Sequence, residues 1–86
     1  MIRELSVNEN MIIEFLILNG GKANYRQLAE YVYKGYEVPP NSAIVMNSAV
    51  KRIISKIKRY KLDIEIKITK EKSGNNYVNS VELKRK

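Results

Sequence analysis

Between residues 41 and 61 the apolar positions of NSAIVMNSAVKRIISKIKRYK recur with the period of an α-helix. At 100° per residue, Met46, Ala49, Val50, Ile53, Ile57 and Tyr60 gather within about a third of the circle. Asn47, Ser48, Lys51, Arg52, Ser55, Lys58 and Arg59 fill the opposite side. The pattern predicts a helix over about 42–60, capped by Asn41 or Ser42, with one side on a core. Its other side offers cations and small hydrogen-bonding groups.

Two shorter helices precede it. Ser6 and Glu9 stand in the S-x-x-E spacing of a capping box and predict a helix over about 6–19. Met11, Ile12, Ile13, Phe15, Leu16, Ile17 and Leu18 make it apolar almost all round. A helix of that kind is expected to be buried over most of its circumference or shared with a second subunit. Gly20-Gly21 ends it, and Lys22-Ala23 is a short extended connector or edge strand. Asn24, with Gln27 in the box position, opens a helix over about 25–34 whose core face is Tyr25, Leu28, Ala29 and Val32. Gly35 closes it, and Pro39-Pro40 hold the following segment out of helix.

After Lys61 the period drops to two. Ile64, Ile66 and Ile68 alternate with polar residues, and so do Tyr77, Asn79, Val81 and Leu83. These runs predict a hairpin over about 63–84, with KEKSGNN as a charged, turn-rich loop and the out-of-phase Val78 as a bulge. Lys84-Arg85-Lys86 is expected to fray. The order of elements predicts an α+β fold for a single domain over 1–86. It is that of a winged helix-turn-helix, three helices followed by a β-hairpin wing.

Charge sharpens the picture. The net charge of +7 is sorted along the chain. Residues 1–43 carry four Lys or Arg against five Glu, whereas residues 44–86 carry twelve Lys or Arg against four acidic residues. The whole excess lies with the long helix and the hairpin, which favours a polyanionic partner. Cysteine and histidine are absent, removing thiolate metal sites, disulfides and the commonest neutral-pH base. No apolar run approaches ~20 residues and the start MIREL lacks signal-peptide anatomy, so a cytoplasmic, membrane-free protein is expected.

At residue level the chain resembles the OmpR-type winged-helix effector domains of bacterial response regulators. Leu5-Ser6-x-x-Glu9 corresponds to the family's LTxxE, and LAEYVYKG at 28–35 to its LLxxVW, with Tyr33 in place of Trp. VMNSAVKRIISKI at 45–57 aligns without a gap on the family's TVDVHISRLRKKL, matching Arg52 and Lys56 to basic positions. The family's four-stranded sheet ahead of the first helix has no counterpart in residues 1–4, and its receiver domain has none in the chain. Its Gly-x-Gly-Tyr turn is Ser73-Gly74-Asn75-Asn76-Tyr77 here. The resemblance therefore implies the fold and the docking mode, and phosphorylation control does not follow from it.

The candidate DNA-binding residues follow from side-chain chemistry. Arg52 has the fork that suits guanine and Asn47 the amide that suits adenine, with Ser48 and Ser55 between them. Lys51, Lys58 and Arg59 suit phosphates. Lys70, Lys72, Asn75 and Asn76 at the hairpin tip suit phosphate or a minor groove. The plainer alternatives are a solvated helix face and a charged turn. Of the six tyrosines, Tyr25, Tyr33 and Tyr60 are expected in the core, and Tyr31 and Tyr36 on the surface. No nucleophile–base set, glycine-rich phosphate loop or metal-ligand cluster stands out, so catalytic residues, cofactor and small-molecule substrate are all expected to be absent. The expected function is sequence-specific double-stranded DNA binding by a small transcriptional regulator, as a homodimer on repeated or palindromic half-sites. The alternatives are a protein-interaction module whose basic face binds an acidic partner, and RNA binding through the tail and hairpin.

Overall fold

The computed structural model describes residues 1–85, the side chain of Ser73 excepted. Its elements are α1 (Val7–Leu18), β1 (Lys22–Asn24), α2 (Tyr25–Val32), α3 (Ser42–Tyr60), β2 (Ile64–Ser73) and β3 (Asn76–Arg85). The fold is α+β: three helices and one antiparallel sheet in the order β1-β3-β2. No helix of the described residues is long and apolar enough to cross a membrane.

Both short helices start on reciprocal capping boxes. The Ser6 hydroxyl accepts from the Glu9 amide at 3.2 Å, and the Glu9 carboxylate accepts from the Ser6 amide at 2.9 Å. Asn24 and Gln27 repeat the exchange at 2.8 and 2.9 Å. α3 differs: Asn41 occupies the N-cap position, as expected, but its side chain makes no capping bond. α2 stops two residues before the expected 34, because Tyr33 and Lys34 turn back on Ala29 and Tyr31 and Gly35 takes φ 85°. α3 ends at Lys61 in the left-handed region, φ 52°, with the Leu62 amide donating to the Ile57 carbonyl.

The core joins Ile12, Ile13 and Leu16 of α1 to Tyr25, Leu28 and Ala29 of α2 and Met46, Ala49, Val50, Ile53 and Ile57 of α3. Ala23, Ile66 and Val81 close it from the sheet. α1 is less enclosed than its composition implies. It buries one face and leaves Ile17 65% and Leu18 70% exposed, beside an apolar cleft bordered by Met1, Ile13, Ile64 and Leu83.

Residues 22–24 are a true edge strand, pairing Lys22, Ala23 and Asn24 with Glu82, Val81 and Ser80. β2 and β3 pair without interruption from Ile64↔Arg85 to Ser73↔Asn76. Two expectations fall with that register. Val78 makes no bulge, since it pairs directly with Glu71, and Lys84 and Arg85 are strand rather than frayed tail. Lys86 lies outside the described residues. The KEKSGNN loop contracts to a two-residue turn, Gly74-Asn75, where Gly74 supplies the positive φ (63°) that such a turn requires at its first position. Gly21, φ 92°, links α1 to the sheet: its amide donates to Leu16 and its carbonyl accepts from Leu83, both at 2.7 Å. On the sheet face carrying Lys22, Ser80 and Glu82, a Lys22–Glu71 ion pair at 2.6 Å spans β3.

Candidate nucleic-acid interface

α3 carries five cations, Lys51, Arg52, Lys56, Lys58 and Arg59, and no carboxylate. Because its core face packs on α1, α2 and the sheet, the opposite side stands in solvent. Ile44, Ser48, Lys51, Ser55 and Lys58 are all exposed and recur at four, three, four and three residues, which makes one continuous ridge along the helix. Arg52 and Arg59 flank it, also exposed. Among the described residues no side-chain hydrogen bond or ion pair engages Ser48, Lys51, Ser55 or Lys58. The Arg59 guanidinium lies 5.7 Å from the Tyr60 ring centre. Tyr60 itself, the last residue of α3, is 47% exposed rather than in the core.

Two expected base readers are not free. Asn47 is half-buried, and its Oδ1 accepts from the buried Tyr25 hydroxyl at 2.8 Å. Burial raises the Tyr25 pKa, which keeps that hydroxyl a donor. This bond ties α2 to α3 and removes the acceptor half of the amide that adenine would need. Asn47 is thus a packing residue first. Arg52 is tied through its Nε to Glu9 Oε2 at 3.3 Å, with its side chain still 57% exposed. Among the described residues no hydrogen bond engages its two Nη groups.

Glu9 does more than cap α1. It is 1% exposed and accepts from Lys56 Nζ at 2.7 Å, from the Ser6 amide and from Arg52. Burial pushes its carboxyl up, but these three donors outweigh burial and hold it below the ordinary value of 4.5. The S-x-x-E spacing reveals the local cap. Nothing local reveals partners 43 and 47 residues away.

At the hairpin tip Lys70, Lys72, Asn75 and Asn76 are all exposed, as expected. Lys70 pairs with Asn79 and Lys72 with Tyr77, on the sheet face that further down carries Ile66 and Ile68. There the strands outrun the helices, so Tyr77, placed by its alternation on the core face, is 70% exposed. Tyr77 and Asn79 border a cleft of about 530 Å³ with Tyr25, Arg26 and Val38, and with Ser42 at the start of α3. The tip and the beginning of the basic helix thus flank one depression. Tyr36 is exposed, whereas Tyr31 is half-buried with its ring 4.9 Å from Phe15. Among the described residues, no three His, Cys, Asp or Glu side chains converge as a metal site.

Comparison of the chain with protein-family models, with curated proteins and with solved structures returns no match. The resemblance to OmpR-type effector domains therefore stands on the residues quoted above alone.

Proposed function

We propose that this chain is a winged-helix protein that binds double-stranded DNA and acts as a small transcriptional regulator. α3 enters the major groove, and the β2–β3 hairpin serves as the wing, contacting backbone or the neighbouring minor groove. The observation that carries this reading is the carboxylate-free, exposed ridge of α3. A helix that merely faced water would ordinarily intersperse Glu with Lys along such a face. Lys51, Lys58 and Arg59 neutralise phosphates, and Ser48 and Ser55 approach base edges. Arg52 presents its Nη pair end-on to guanine while Glu9 holds its Nε. Lys70, Lys72, Asn75 and Asn76 add contacts from the wing.

The test is competition at fixed low salt between a random duplex pool, single-stranded RNA and an acidic polypeptide. The reading predicts that duplex DNA displaces the other two, and that repeated selection from the pool converges on a motif. Preference for the acidic polypeptide would identify a protein-interaction module instead. Preference for RNA would overturn groove docking.

A further inference from the structure

Among the described residues, the ten-residue strand β2 has one edge free. In the order β1-β3-β2 this strand pairs on one side only, over ten residues that contain neither proline nor bulge. The two-residue turn dictates which backbone groups it leaves open. Ser73 and Asn76 flank that turn and exchange hydrogen bonds across it, so counting back by twos Glu71, Thr69, Lys67 and Glu65 also direct theirs at β3. The amides and carbonyls of Ile64, Ile66, Ile68, Lys70 and Lys72 consequently face outward. An edge of this kind is a template for another strand.

We propose that a second copy of this chain pairs antiparallel on this edge about a twofold axis through Ile66, joining two three-stranded sheets into one of six strands. The charge pattern selects both the occupant and the register. About Ile66, each Glu65 stands opposite Lys67 of the other copy, twice over, in non-hydrogen-bonded pairs where side chains approach most closely. Ile66 then meets Ile66, and Ile64 meets Ile68, extending the apolar face that Ile66 and Val81 already bury. The neighbouring registers fail. An axis at Ile68 sets Glu65 against Glu71, one at Ile64 sets Asp63 against Glu65, and one at Glu65 or Lys67 sets that residue against its own copy. Lys70 and Lys72 run past the end of the partner strand and stay in water, which limits pairing to residues 64–68.

Joining sheets edge to edge keeps their packed faces on the same side. About that axis the two copies of α3 are twofold images of one another, the symmetry that palindromic half-sites on one duplex require. That consequence rests on the DNA-binding reading. The pairing itself does not.

Sedimentation of the full chain without DNA, from micromolar to hundreds of micromolar, tests the pairing. The wild type should self-associate to a dimer. Glu65→Lys alone and Lys67→Glu alone set like charges opposite one another and should each weaken that association on the order of tenfold or more. Mixing the two variants makes both contacts complementary again and should restore dimers as heterodimers. Within one chain Glu65 faces Lys84 and Lys67 faces Glu82, and those contacts are the same in the mixture as in each variant alone, so loss of folding cannot imitate the rescue. A second measurement needs no variant: hydrogen exchange at the Ile64, Ile66 and Ile68 amides should slow as wild-type concentration rises, while Lys70 and Lys72 stay fast. A wild type that remains monomeric, single variants that associate as it does, a mixture no tighter than its components, or exchange at Ile66 independent of concentration would each overturn the proposal.

Discussion

Replacing Glu9 by Gln keeps the shape of the side chain and its reach back to the Ser6 amide, and removes only the charge. In the native fold that charge accepts from Lys56 at 2.7 Å and from Arg52 at 3.3 Å. Hydrogen bonds to a charged group contribute about 1.5–3 kcal/mol and neutral ones about 0.5–1.5, so each contact loses about 1 kcal/mol. The Arg52 side chain is more than half exposed and its share is reduced by solvent screening. The expected destabilisation at neutral pH is about 1–2 kcal/mol, a fall of roughly 5–15 °C in melting temperature for a domain of this size. The pH dependence identifies the cause. Because the folded-state pKa of Glu9 lies below its ordinary 4.5, the unfolded chain takes up the proton first. The stabilisation is complete above the ordinary value and is lost as pH falls through the folded one. Urea unfolding of both proteins at neutral pH and at about pH 3 should therefore show a gap that narrows in acid. A gap of equal size at both pH values, or none at neutral pH, would mean that Glu9 does not act through its charge.

Other substitutions probe the frame around the interface. Lys61 holds a left-handed conformation at the end of α3, so Lys61→Gly should raise stability by about 0.5–1 kcal/mol in the same unfolding assay. Gly21→Ala should do the opposite, costing about 1–2 kcal/mol, since φ is 92° and a Cβ would lie 3.1 Å from the Leu83 carbonyl oxygen. Ile53 is fully buried between α3 and the rest of the core, and Ile53→Ala should destabilise by about 2–5 kcal/mol on thermal unfolding.

Much of the fold is legible in the sequence because it rests on local rules. The S-x-x-E and N-x-x-Q boxes, the 3.6-residue period of α3 and the two-residue period after Lys61 each depend on neighbours a few positions apart. What escapes the sequence depends on where elements end relative to one another. Tyr77 alternates correctly with Val81 and Leu83, yet it is exposed because the hairpin projects beyond the helices. Val78 breaks the alternation of polarity without breaking the ladder. At the interface, the sequence identifies the solvent ridge of α3 but not the two tethers within its polar side. The bonds of Asn47 to Tyr25 and of Arg52 to Glu9 join residues 22 and 43 positions apart. Only the packing of α3 against α1 and α2 brings them together.

Docking of α3 on DNA is measured by the salt dependence of duplex binding. If the α3 ridge neutralises phosphates, log Kobs should fall linearly with log salt, and Lys51→Ala and Lys58→Ala should each reduce the slope by about 1 while leaving the preferred motif unchanged. A slope near zero, or one that neither substitution alters, would mean that the α3 ridge does not neutralise phosphates.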